Sequence, residues 1–306
     1  MAGQQGTHHY VDDPRNADVL ISVNGELVPR NKAVVSVFDS GFILGDGVWE
    51  GLRLHNGRFA FLDQHLGRLW QGARAIDLDL GMTQDAMAAE LQRTVEANGM
   101  ESGVHVRLMV TRGMKATPYQ DPRVNIGVPT VVIIPEHKKP SERKDGVRLF
   151  TVHVRRGAPD VQDPVINSHS RLNCITACIQ AAKAGADEAL MLDPHGFVAT
   201  CNSTHFFIVR GGEVWTSTGR YCLHGITRGN ILRVAREAGV LALEKDFSLT
   251  EVYDADEAFI TGTFAGVTPV SEIDGRMIGD GTPPGPVVRT LQGLYADLVE
   301  RVCPAP

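Results

Sequence analysis

The chain has 306 residues, 43% of them hydrophobic and 22% charged, with a formal net charge of −6. That length allows one large domain or two with ample core, and the composition is that of a soluble globular chain. The negative balance argues against a general nucleic-acid or anionic-membrane surface. No apolar run reaches spanning length, and the longest, 128–135, reads as one buried strand.

Residues 1–17 are polar and lack a basic stretch followed by an apolar one. They read as a loose arm rather than a secretory signal, and a cytoplasmic setting is expected. Cys174, Cys178, Cys201, Cys222 and Cys303 are odd in number and irregularly spaced. Buried thiols in a reducing compartment are the expectation. Cys174 and Cys178 share a helix face, but no matching His or Cys pair lies nearby, so no metal site is expected.

The elements follow in order. Residues 20–23 and 26–28 flank Asn24-Gly25, the strongest short hairpin signal. Residues 39–47 read as a Gly-rich loop, and 49–54 as helical or extended. Asn56-Gly57 marks a second hairpin. Helices are expected over 65–76, with Leu66, Leu69 and Ala73 as the stripe, and over 84–96. Strands at 104–111 and 130–134 complete a small α+β domain, 18–135. The polar, Pro-bearing 136–144 stretch reads as a linker, and 145–306 as a larger α+β domain.

In the second domain 147–154 is a strand. A helix follows after 167, with Ser170 as its N-cap and Gly185 at its end. Residues 187–192 form a strand and Asp193-Pro194-His195-Gly196 a turn. Residues 205–209 and 213–217 make a hairpin around Arg210-Gly211-Gly212. Helix 227–238, a turn at 249–253, strand 257–261 and a helix over 284–299 entered at Pro286 finish the chain. No internal repeat is evident.

His224-Gly225-Ile226-Thr227 stands just before a helix. Gly225 lets the backbone approach closely, and the first N–H groups of a helix suit an anion. Thr227 either adds a hydroxyl to such a site or simply caps the helix.

Five pieces resemble one family in its own order. They are DSGFILGDGVWEGLRLHNGRFAFLDQHLGRL (39–69), VRLMVTRG (106–113), GADEALMLDPHGFV (185–198), HGITRGNIL (224–232) and DEAFITGTFAGVTPVSEIDG (256–275). The chain resembles the class IV aminotransferases, the fold-type IV group that includes branched-chain and D-amino-acid aminotransferases, over about residues 18–295. The resemblance implies a two-domain α+β fold and a homodimer to which 39–47 contributes across the interface. It implies a ligand cleft between the domains, with the 225–228 helix start at its floor. It also implies pyridoxal or pyridoxamine 5′-phosphate as cofactor and an amino acid or keto acid as substrate. It assigns the cofactor phosphate to Gly225, Ile226 and Thr227, to Arg68, and to Gly262 and Thr263.

Two positions depart from the family. Its catalytic lysine falls on Asn167 and its pyridine-partner glutamate on Thr200. Asn forms no imine and is no useful base, and Thr offers the ring only a neutral hydrogen bond. Lys183 lies roughly 15–20 Å along the helix and is a poor substitute. His169 and His205 are the candidate general bases, or else hydrogen-bonded structural histidines. Arg53, Arg107 and Arg112 are candidates to grip a substrate carboxylate, or else structural ion-pair residues. Three readings follow: a transaminase of the family's kind; a lysine-independent enzyme on its scaffold, holding the cofactor non-covalently or using none; and a non-catalytic binding homologue.

Overall fold

The computed structural model describes residues 7, 11–140 and 145–305. Most of the expected 1–17 arm and positions 141–144 of the expected linker lie outside the described residues. The chain divides into two compact units.

The first unit comprises Val11–Lys139, Ile166–Arg171 and Val302–Pro306. Its elements are β1 (Leu20–Val23), β2 (Glu26–Pro29), α1 (Ser40–Leu44), β3 (Gly47–His55), β4 (Arg58–Phe59), α2 (Leu62–Ala75), α3 (Gln84–Ala97), β5 (Val104–Thr111) and β6 (Thr130–His137). The strands form one antiparallel sheet in the order β2-β1-β6-β5-β3-β4. Asn24 and Asn56 take positive φ in the two turns, as Asn-Gly hairpins require. Alternate residues of β3 and β5, including Leu52, Leu54, Val106 and Leu108, are buried with Leu66 and Leu69 of α2 and Met87 and Leu91 of α3.

Two expectations change here and one open choice is decided. The 39–47 loop contains α1, because the Asp39 carboxylate accepts the Gly41 N–H and caps a short turn that Gly45 ends at φ 68°. The 49–54 stretch is strand. β6 runs through Pro135 to His137 rather than stopping at Ile134. At Pro135 its only ladder partner is Val106 of β5, since β1 reaches no further than Ile133, and an open edge tolerates a residue without an N–H.

The second unit includes Pro140–Val165 and Leu172–Arg301. It holds β7 (Val147–Thr151), α4 (Pro159–Gln162), α5 (Leu172–Lys183), β8 (Glu188–Leu192), β9 (Val198–Cys201), β10 (His205–Arg210), β11 (Glu213–Thr216), α6 (Ile226–Glu237), β12 (Ala242–Glu244), α7 (Leu249–Tyr253), β13 (Glu257–Gly262), β14 (Gly266–Ile273), β15 (Arg276–Met277) and α8 (Pro286–Val302). Its mixed sheet runs β12-β11-β10-β13-β14-β7-β8-β9, with β15 on β14. Near-continuous burial of β8, β9, β10 and β13 explains their apolar runs. Helix α6 packs on β13 and β12.

The expected contiguous 145–306 domain therefore differs from the compact unit, which omits Ile166–Arg171. Helix α5 starts at Leu172, two positions beyond Ser170. Its hydroxyl donates to the Gly45 carbonyl, 3.3 Å away, within the first unit. Among the cysteines, Cys201, Cys222 and Cys303 are buried as expected, whereas Cys178 is exposed. Among the described residues no helix is long and apolar enough to cross a membrane.

Leu108 is fully buried at the centre of the first sheet. Leu108→Ala is expected to cost about 2–5 kcal/mol through lost contacts and a residual cavity. Urea unfolding followed by tryptophan fluorescence measures it, Trp49 and Trp70 lying in that unit.

Candidate functional site

Strand β3 organises the candidate positions of the first unit. β4 covers only Leu54 and His55, so the Gly47–Trp49 end is open on that side. The segment Ile166–Arg171 fills it. The Trp49 N–H donates to the Asn167 carbonyl and the His169 N–H to the Gly47 carbonyl, both at 3.0 Å. The Trp49 indole N–H donates to the Ser168 carbonyl, also at 3.0 Å.

Asn167, only 5% exposed, donates its side-chain N–H to the Trp49 carbonyl at 2.7 Å. A carbonyl only accepts, so this bond fixes which way the amide faces. The amide oxygen, Oδ1, is buried and has no partner. Such an orphan costs about 1–3 kcal/mol. No amine stands here to form an imine.

His169 donates Nε2–H to the Val48 carbonyl at 3.0 Å, and burial pushes its pKa below the ordinary value. It is a neutral imidazole near pH 7, with the Nδ1 lone pair as its remaining acceptor.

Arg68 lies on α2 and faces Glu50 of β3. Its Nε and Nη2 donate to the two carboxylate oxygens at 2.8 and 2.7 Å, and His65 Nδ1 lies 2.7 Å from Glu50 Oε2. Glu50 is 0% exposed. Burial alone would raise its pKa; the charge of Arg68 and the hydrogen bonds from His65 and Arg68 outweigh it and hold the carboxyl below the usual range. The guanidinium expected to meet a phosphate is thus set in place by a buried carboxylate.

The three candidate carboxylate grips separate. Arg112 is a brace: it binds Asp46 through two nitrogens and also donates to the carbonyls of Asp77 and Ile76. Arg53 is buried and donates to the Lys138 carbonyl at 2.7 Å. Arg107 stacks on Trp49, its guanidinium carbon 3.9 Å from the ring centroid, with Arg171 over the same ring at 5.4 Å. Burial and the like charge of Arg171 lower the Arg107 pKa. Among the described residues Arg107 has no hydrogen-bonded carboxylate, and it best suits an incoming anion.

The second unit holds a separate set of candidate positions. Gly225 caps α6 without any side-chain bond, leaving the N–H groups of its first turn for a ligand. Ile226 and Thr227 open the helix, and Thr227 is buried with its hydroxyl 3.4 Å from that of Tyr295. The His205 ring lies against Gly225, where a Cβ would fall 2.2 Å from His205 Cε1. His205 also donates Nε2–H to the Leu223 carbonyl at 2.6 Å. It therefore braces the loop that enters α6, a different setting from that of an accessible base.

Gly262 and Thr263 lie at the β13–β14 turn, next to Thr261, whose buried hydroxyl oxygen has no partner. Thr200 donates its hydroxyl to the Thr204 carbonyl at 2.8 Å, so its oxygen remains only as an acceptor. Glu188 accepts from the Ser203 N–H and hydroxyl and from the Thr204 hydroxyl, which fixes that turn.

The donor set of the second unit suits a phosphate: a free helix start, hydroxyls, and a cradle that only glycine leaves open. It contains no carboxylate at Thr200. Sequence reasoning passed over Glu50 and His65. The signal was available: Val48, Glu50, Leu52 and Leu54 alternate on the buried face of β3, and a charge in that series demands a buried partner.

Comparison with known proteins shows the family. Residues 47–273 match the family described as Amino-transferase class IV. The chain belongs to the class IV aminotransferases. It is 40% identical over 288 residues to branched-chain-amino-acid aminotransferase-like protein 1 of Arabidopsis thaliana, covering 94% of this chain and 52% of that protein. It thus spans about half the length of that relative. It is 38% identical over 279 residues to a putative branched-chain-amino-acid aminotransferase of Methanocaldococcus jannaschii, covering 91% and 96%. Its fold matches the crystal structure of the T.th. branched-chain amino acid aminotransferase with pyridoxamine 5′-phosphate at a TM-score of 0.86 and 31% identity, covering 94% and 96%. The expected α+β, fold-type IV architecture holds.

The Glu50 network carries a pH signature. Its carboxyl titrates lower folded than unfolded, so its contribution to stability is present above the ordinary carboxylate range and lost as pH falls through the folded value. Glu50→Gln is expected to destabilise the protein by about 3–5 kcal/mol at pH 7 and by less near pH 3. Thermal unfolding of both proteins across that range checks it.

Proposed function

We propose that this chain is an aminotransferase-like enzyme that acts on an amino acid or keto acid and holds pyridoxamine or pyridoxal 5′-phosphate without a covalent bond. The observation that carries the reading is the contrast between a phosphate-suited helix start and a locked asparagine at position 167. The Ile226 and Thr227 N–H groups, the Thr227 hydroxyl, Gly262 and Thr263 would hold the phosphate, with Arg68, braced by Glu50, as its cation. When bound, the cofactor supplies an electron-withdrawing ring and a carrier for the amino group.

The chain's own residues then divide the work. Arg107, flat on Trp49, binds a substrate carboxylate. His169, neutral with Nδ1 open, takes and returns the proton that a lysine amine otherwise moves. Thr200 offers the ring nitrogen an acceptor oxygen and no negative charge, so the ring is a weaker electron sink. Turnover is correspondingly slow. A homodimer in the cytoplasm is the expected setting, and sedimentation giving a monomer at all concentrations would contradict the dimer.

Calorimetry with pyridoxamine 5′-phosphate is expected to give one site per chain. Thr227→Val should weaken it about tenfold, the scale of one hydrogen bond. Asn167→Lys should raise transamination at least about 30-fold, since a general acid–base group contributes roughly 10²–10⁴-fold. Unaltered turnover of common amino acids at about 1–10 s⁻¹ would contradict the slow, lysine-free reading. Absence of any phosphate-ligand binding would leave no role for the helix start.

A further inference from the structure

We infer that Tyr295 is a positioning residue for the anion site of the second unit, its ring seated on the β13–β14 turn and its hydroxyl holding that of Thr227. The inference rests on the cofactor reading above and deepens it. It names the residue that joins the α6 start to the turn carrying Thr263, two elements far apart in sequence.

Helix α8 is fixed at its start. The Val287 and Val288 N–H groups donate to the two carboxylate oxygens of Glu257, each at 2.9 Å, so a negative charge caps the helix where its dipole is positive. Glu257 opens β13, the strand whose other end is Gly262. Val288, Leu291 and Leu298 of α8 are buried, and Tyr295 continues the same stripe. On the turn before it, Gln292 donates its side-chain N–H to the Val267 carbonyl of β14 at 3.2 Å. Residues three apart are neighbours on a helix surface, so Tyr295 is delivered to the same strand end. There it meets Gly266, which pairs with Gly262 across the turn. A Cβ on Gly266 would fall 3.2 Å from Tyr295 Cε1, and Gly266 takes φ 67°, which side chains rarely adopt. The turn thus forms a seat for the ring.

From that seat the Tyr295 hydroxyl lies 3.4 Å from the hydroxyl of Thr227, in the first turn of α6. A threonine hydroxyl has one proton and rotates to suit its neighbours. With Tyr295 as donor, Thr227 Oγ1 is the acceptor and its own proton is left for an anion at the helix start. That proton is then aimed before the anion arrives, which spares the cost of ordering it. The contact is long for two hydroxyls, so its effect is that of a weak neutral bond. Tyr295 acts through Thr227 and not on the anion itself.

The test is a double-mutant cycle on the full chain, with inorganic phosphate titrated and followed by phosphorus NMR. Tyr295→Phe keeps the ring on Gly266 and removes only the hydroxyl. It is expected to weaken phosphate binding about threefold in the unaltered background and by less than about 1.5-fold in a Thr227→Val background. A residue that merely supports the fold would cost the same in both backgrounds, and that result overturns the inference. An affinity of Tyr295→Phe equal to that of the unaltered protein also overturns it, while leaving the cofactor reading intact. Failure of the unaltered protein to bind either phosphate or pyridoxamine 5′-phosphate removes the cofactor reading, and this inference with it. If Thr227→Val does not fold, Thr227→Ala takes its place in the cycle. If neither folds, Tyr295→Phe decides alone: a threefold loss at an unchanged melting temperature supports the inference, and an unchanged affinity overturns it.

Discussion

The hydrogen bonds between Trp49 and Asn167 are the constraint on which the first unit's chemistry depends. They join a strand end to a segment more than a hundred residues away in sequence and fix an amide, an imidazole and an indole relative to one another. Trp49 offers one face to Arg107, and its neighbour Glu50 turns inward to hold Arg68. Successive residues of one strand thus present a stacked cation and an anchored cation on opposite sides of the sheet. The alternation of a strand makes this possible, and a helix at 49–54 would have scattered the same residues.

The second unit offers neutral groups instead. An anion at a helix start needs no lysine there, because the first-turn N–H groups already point outward and carry the positive end of the helix dipole. The cost is geometric: Gly225 must stay glycine, since the His205 ring occupies the space of its Cβ. The same ring, by donating to the Leu223 carbonyl, keeps the approach to α6 in shape. A histidine engaged in this way gives rigidity to the loop in place of proton transfer.

Much of the fold was legible in the sequence because its signals are local. Asn-Gly pairs marked both hairpins of the first unit, and 104–111 appeared as a strand with its observed limits. The errors have non-local causes. Ser170 looked like an N-cap by position, yet its hydroxyl is drawn to Gly45, 125 residues earlier. The strand expected to stop at 134 runs on through Pro135, because the strand beside it has already ended. Family resemblance pointed to Asn167 and Thr200, while only coordinates could show that Asn167 keeps its oxygen unpaired and that Thr200 has given its proton to Thr204. Glu50 was legible as a charge on the alternating buried face of β3; that its partner is Arg68 was not, because a pair separated by eighteen positions on a strand and a helix leaves no periodic trace.

The central claim is that this scaffold keeps a phosphate-bearing cofactor while position 167 forms no bond to it. Mass spectrometry after incubation with pyridoxal 5′-phosphate, borohydride treatment and removal of excess ligand tests it most directly, comparing native and denaturing conditions on one sample. The account predicts a cofactor adduct in the native spectrum that disappears on denaturation. A single stoichiometric adduct that survives denaturation and maps to one lysine would contradict it, because another side chain would then be supplying the amine that Asn167 lacks.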